Sequence, residues 1–132
     1  MTRVALGLGC DRGTPLETIE DAVTQALAQA GVGLEAVAAA ASIDLKADEV
    51  GLLGLARRHG WPLRFYAAAE LAGVAVPNPS ETVRRYTGTP SVSEAAALLA
   101  AGADMTALLV EKHKYRGPDG RNATVSVARI HQ

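Results

Sequence analysis

A single cysteine, Cys10, in 132 residues excludes an internal disulfide and any cysteine-based metal cluster. An excess of charge is missing as well. Thirteen basic and fourteen acidic side chains leave a formal net charge of −1. Nothing global therefore favours nucleic acid, and any attraction for an anion must be local. Long apolar runs are absent too: "AVAAAASI", residues 36–43, falls far short of the roughly 18 residues that cross a membrane. The opening "MTRVALGL" moves straight into a strand pattern without the apolar core of a signal peptide. The expectation is a cytoplasmic protein with neither a membrane nor a nucleic-acid partner.

What is present is a globular composition, 48% hydrophobic and 20% charged. A chain of this length buries about two-thirds of its unfolded surface, so one domain over residues 1–132 can support a core without disulfides. No motif calls for a metal or a cofactor.

Periodicity and breakers give the order of elements. "RVALGL", residues 3–8, reads as a short buried strand. Thr14 and Glu17 have the spacing of a capping box, with Pro15 at the first helical position. Leu16, Ile19, Val23, Ala26, Leu27 and Ala30 then share one helical face, and "GVG" ends the helix. "EAVAAAASID" lies between breakers and is taken as a central strand, its small side chains letting helices approach closely. "KADEVGLLGLARRHG", 46–60, is an amphipathic helix with a basic last turn. "WPLRFYA" is a third strand with Pro62 at its start. "AAELAGV" is a short helix, and "PNPSETVRRYTGTP" a loop with about two helical turns. "SVSEAAALLAAGA" opens on a second capping box, Ser91 to Glu94. "TALLVEKHKY" and "ATVSVARI" flank a turn and form a hairpin.

That order predicts an α/β fold in three layers: a mixed, mostly parallel sheet flanked by helices, with a C-terminal antiparallel hairpin. Ligands of such sheets bind beyond the carboxyl ends of the parallel strands. "GCDRGT", "SIDLKADE" and "TGTPSVSE" all lead into helix starts and are expected to share that rim.

Three chemistries compete for it. "GLGCDRG" is one residue longer than a dinucleotide fingerprint, and Asp44 follows Gly13 by about 30 residues rather than about 20. No Gly-Lys-Ser/Thr follows, which excludes a Walker A loop. Cys10 as a nucleophile would be assisted by a helix N-terminus and Arg12. It has no nearby histidine, since His59, His113 and His131 lie at a helix end, a strand and the terminus, and Leu16 stands where a cysteine phosphatase needs arginine. The third is anion binding by helix N–H groups with Arg12, Lys46 and Lys112 or Lys114, suited to a ligand bearing several carboxylates. Asp44, Asp48, Glu49 and Glu94 have the chemistry of general acids or bases, but their positions equally suit helix caps. "EKHKYR", 111–116, is too short a basic cluster to signal nucleic acid. Trp61 and Tyr66 read as packing residues or as surfaces for a planar ligand.

Taken together, "GLGCDRGT", "SIDLKADEVGLLGLA", "TGTPSVSEAAALLAAGA" and "LLVEKHKY…ATVSVARI" resemble one cobalamin-biosynthesis family over residues 3–130. It comprises the stand-alone CobE proteins and the C-terminal domain of CbiG. The family's Gly-Cys-x-Arg-Gly pattern falls on Gly9, Cys10, Arg12 and Gly13. Its Ser/Thr-x-Asp-x-Lys-x-x-Glu pattern falls on Ser42, Asp44, Lys46 and Glu49. Its Gly-x-x-Ser-Val-x-Glu-Ala-Ala pattern falls on Gly88, Ser91, Val92, Glu94, Ala95 and Ala96, and a later lysine falls on Lys112.

The resemblance implies a part in building the corrin ring, whose precorrin intermediates are tetrapyrroles fringed with acetate and propionate. The binding partner expected is such an intermediate, with other cobalamin-biosynthesis enzymes as possible company. The expected binding set is Gly9, Arg12, Gly13, Thr14, Ser42, Lys46, Thr87, Gly88, Ser91 and Lys112. Whether the chain is an enzyme stays open. Full-length CbiG resembles a hydrolase of the cobalt-precorrin-5A lactone, and this chain matches only its C-terminal portion. A hydrolase reading would draw on Cys10, Glu49 or Glu94; a carrier or accessory factor would need none of them. A nucleotide- or phosphate-binding module is the remaining alternative.

Overall fold

The computed structural model describes residues 2–130; His131 lies outside them. Five strands and five helices follow the predicted order. They are β1 (Val4–Cys10), α1 (Leu16–Ala30), β2 (Val37–Ile43), α2 (Val50–His59), β3 (Leu63–Tyr66), α3 (Ala68–Ala72), α4 (Glu81–Thr87), α5 (Val92–Ala101), β4 (Leu108–Arg116) and β5 (Asn122–Arg129).

The sheet order is β3-β2-β1-β5-β4. β1 pairs in parallel with β2, and β2 with β3; β5 runs antiparallel to both β1 and β4. β5 is thus the one reversed strand, and the carboxyl ends of β1, β2, β3 and β4 lie along the same edge.

The period of β1 explains the layers. Val4, Leu6 and Leu8 point to one face, where they bury Ile19, Val23 and Leu27 of α1 with Leu52 and Leu55 of α2. Ala5 and Gly7 point to the other, which α5 covers through Ala97 and Leu98. β2 repeats the division: Ala41 and Ile43 meet Ala95 and Ala96 of α5 and Leu71 of α3. A helix of alanines on a strand of small residues packs very closely. A methyl group at Gly7 would stand 1.7 Å from the Ser93 carbonyl oxygen. This contact sets the first turn of α5 directly against β1, near the carboxyl edge of the sheet. The fold is the predicted three-layer α/β arrangement, with the final two strands antiparallel.

Three local expectations are corrected. The Thr14–Glu17 capping box does not form. Pro15 occupies the N-cap of α1, and the buried Thr14 hydroxyl donates to the Asp11 carbonyl at 2.7 Å. Thr14 is held in the contact between α1 and α2, its carbonyl against Gly51, so its hydroxyl turns to the nearer acceptor. Ser91 does sit at the N-cap of α5, but its hydroxyl donates to the Glu94 carboxyl at 2.9 Å rather than accepting a backbone N–H. The helix expected from residue 46 begins at Val50; Asp44–Lys46 form one tight 3-10 turn before it. No helix among the described residues is long and apolar enough to cross a membrane.

Candidate functional site

The carboxyl edge of the sheet holds a cleft of about 660 Å³. Gly9 and Cys10 at the end of β1 and Thr124 of β5 line its base, with the start of α5 (Val92, Ser93) beside them. Leu45 and Lys46 form one side, α4 supplies Thr82, Val83, Tyr86 and Thr87 on another, and Lys112, Lys114 and Asn122 complete the rim.

A distortion in β4 aims its lysines. The pairing of β4 with β5 slips by one residue between Val110 and His113, so that Glu111 and Lys112 together stand opposite Ser126 alone. Such a bulge re-aims the side chains that follow. Val110, before it, is buried against the α1 side; beyond it Tyr115 is half-buried on that side and His113 hydrogen-bonds Gln25 of α1. Lys112 and Lys114 consequently face the cleft. Among the described residues no carboxylate forms an ion pair with Lys46, Lys112 or Lys114. Lys112 Nζ reaches the Asn78 carbonyl at 3.4 Å. The same Asn78 donates through Nδ2 to Glu94 at 2.6 Å and to Glu111 at 3.1 Å. Asn78 therefore ties the segment before α4 to both α5 and β4.

Arg12 lines the cleft, but its guanidinium already has partners. Nη1 donates to Asp48 at 2.7 Å and to Glu49 at 2.8 Å, and Nη2 donates to the Leu45 carbonyl at 2.7 Å. The hydrogen bond from Arg12 holds the Asp48 carboxyl below its ordinary range. Glu49 is buried and also accepts the Gly13 N–H at 3.1 Å. This clasp joins the β1–α1 loop to the β2–α2 loop. It also takes the Gly13 N–H, a donor that a glycine-loop phosphate site would have used.

Of the other expected binding residues, Gly9, Lys46, Thr87 and Lys112 line the cleft. Thr14, Ser42, Gly88 and Ser91 do not. The buried Ser42 hydroxyl donates to the Leu8 carbonyl at 2.6 Å, joining β2 to β1. Gly88 closes the C-terminus of α4. Of the candidate catalytic residues, only Cys10 lies on the cleft. Burial pushes its thiol up to about 11, with Lys46 opposing the shift. At neutral pH it is overwhelmingly the thiol, the weak nucleophile of the pair. Glu94 is fully buried and held by Asn78 and Ser91. Glu49 and Glu94 act on the loops around the cleft rather than on its interior.

Of α4, the sequence pointed to Thr87 alone. Thr82, Val83, Tyr86 and Thr87 have the i, i+1, i+4, i+5 spacing of a single helical face, visible in "ETVRRYT" once the two turns are recognised. Asn122 and Thr124 were hidden in the hairpin for want of a register.

Comparison with known proteins gives the family. Residues 4–128 match the family described as cobalamin synthesis G C-terminus. The chain is 40% identical over 127 residues to the cobalt-precorrin-5A hydrolase of Priestia megaterium, covering 96% of this chain but only 32% of that protein. It is 42% identical over 111 residues to protein CobE of a Sinorhizobium species, covering 83% of this chain and 71% of that one. A crystal structure of CobE, a protein from the cobalamin (vitamin B12) biosynthetic pathway, superposes with a TM-score of 0.79 at 35% identity, covering 98% of this chain and 92% of that one. The chain belongs to the CobE and CbiG C-terminal family of cobalamin biosynthesis.

Proposed function

We propose that the cleft binds a precorrin or corrin intermediate through its peripheral carboxylates, and that the protein acts as a carrier or accessory factor in building the ring. The observation that carries this reading is the convergence of Lys46, Lys112 and Lys114, without carboxylate partners among the described residues, on one cleft of a nearly neutral protein. An ammonium without a partner at a concave site attracts an anion, and several such groups favour a ligand with several anions. The start of α5 adds its positive dipole end beside them.

Turnover is the second reading, favoured by the likeness to a cobalt-precorrin-5A hydrolase. The chain spans about a third of that relative. Glu49 and Glu94 are engaged in loop contacts, and Cys10 is held as a thiol, so a hydrolytic step would need a water activated by some other group.

The test is an absorbance titration with cobyrinic acid, whose side chains are free carboxylates, beside the same corrin with those groups amidated. Saturable binding of the acid, weakened about tenfold or more in Lys112→Ala and Lys114→Ala and absent for the amide, is expected. Equal binding of the two corrins, or none of either, defeats the reading.

A further inference from the structure

α4 adds no side chain to the core. None of its residues is buried, yet the segment that carries it is pinned at both ends. The Ser80 N–H donates to the Pro90 carbonyl at 2.8 Å, closing the loop around the helix. Asn78 is fastened to Glu94, and the Thr87 hydroxyl donates to the Thr89 carbonyl at 3.0 Å. So anchored, α4 spans the cleft and turns one face toward it, carrying Val83 and Tyr86. Tyr86 is 81% exposed. Leu45, 51% exposed, lines the same cleft with Lys46 next to it in sequence.

Exposing an aromatic ring and a leucine at the mouth of a pocket is unfavourable unless something covers them. A small polyanion would satisfy the lysines and leave both in water. A purely apolar ligand would cover both and leave the lysines without partners. A flat apolar body edged with carboxylates uses the whole lining.

We propose that Tyr86 is a specificity-determining residue of this cleft, stacking against the face of a conjugated macrocycle whose carboxylates are held by Lys46, Lys112 and Lys114. This rests on the carboxylate-binding reading above and extends it from charge to shape. The lysines select for carboxylates, and Tyr86 selects for the ring that bears them. Stacking needs the aromatic face and not the phenol hydroxyl, so phenylalanine serves as well as tyrosine.

The experiment compares two probes. Uroporphyrin III is a flat tetrapyrrole with acetate and propionate side chains; butanetetracarboxylate carries carboxylates on no ring. Fluorescence titration of the porphyrin and calorimetric titration of the tetracarboxylate are run on the parent protein, Tyr86→Ala, Tyr86→Phe and Lys112→Ala. Tyr86→Ala is expected to weaken porphyrin binding about tenfold and leave the tetracarboxylate unchanged. Tyr86→Phe is expected to match the parent, and Lys112→Ala to weaken both probes. Because the ring is exposed, circular dichroism and melting temperature should be the same in the Tyr86 variants and the parent. No porphyrin binding by the parent, unchanged affinity in Tyr86→Ala, or equal losses in the Ala and Phe variants overturns the assignment of Tyr86. Failure of the carboxylate reading itself registers separately, as absence of cobyrinic acid binding.

Discussion

Arg12 Nη1 lies 2.8 Å from the carboxylate of Glu49, although 37 positions separate the two residues in the chain. The other oxygen of that carboxylate accepts the Gly13 N–H. One buried side chain therefore fixes the loop that shapes the base of the cleft. Removing it should be more harmful than removing the exposed arginine. Glu49→Ala is expected to lower unfolding free energy by about 2–3 kcal/mol, because the Gly13 N–H loses its acceptor and Arg12 loses its buried partner. Arg12→Ala is expected to cost less, since the guanidinium is largely solvated and Glu49 keeps the Gly13 N–H. The double variant should fall short of the sum in urea denaturation, as coupled partners do.

The second partner of Arg12 sets a response to acid. Asp48 has a folded pKa lowered from 3.8, chiefly by the hydrogen bond from Arg12. A depressed carboxyl stabilises the folded state above its unfolded pKa, and the contribution is lost as pH falls through the folded value. Stability measured from pH 6 downward should therefore drop more steeply below about pH 4 in the parent than in Asp48→Asn. Superimposable acid limbs would show that the exposed pair does not hold in solution.

Cys10 should be slow to react. With its thiol pushed up to about 11, alkylation by iodoacetamide at neutral pH should run well below the rate of a free thiol. It should climb through the alkaline range as the thiolate forms. A fast reaction at pH 7 would contradict the burial that raises it.

Gly7 is the most closely packed glycine among the described residues. Gly7→Ala must push α5 away from β1, since the new methyl group would meet the Ser93 carbonyl at 1.7 Å. Overpacking of this kind is expected to cost about 3 kcal/mol or more, read as a lowered denaturation midpoint. Because α5 lines the cleft, corrin binding should weaken in the same variant even where it remains folded.

The elements were legible because their periods were strong. Leu and Val alternate with Ala and Gly in β1, and alanines fill α5, so strand, helix and close packing followed from side-chain size alone. Lys46 was legible as well, since it follows a strand on the edge where α/β sheets bind ligands, whereas Lys112 sits in the middle of β4 and was marked by the family pattern. The partners of Arg12 were not. Asp48 and Glu49 have the signature of a helix start, and only the packing of two loops brings them to the arginine. The aim of Lys114 depended on the bulge in β4, a one-residue slip that leaves no mark on composition. Tyr86 escaped notice because α4 is amphipathic toward a cleft rather than toward a core.

The reversal of β5 has a consequence for how the protein comes into being. Val4 pairs with Arg129, so the middle of the sheet joins two strands separated by nearly the whole domain. β4 reaches the sheet through β5 alone. Until β5 inserts, Lys112 and Lys114 have no fixed place and the base of the cleft lacks Thr124. Pairings this distant along the chain close slowly. Ligand binding should therefore emerge abruptly at the end of folding, and chains cut before β5 should retain none of it.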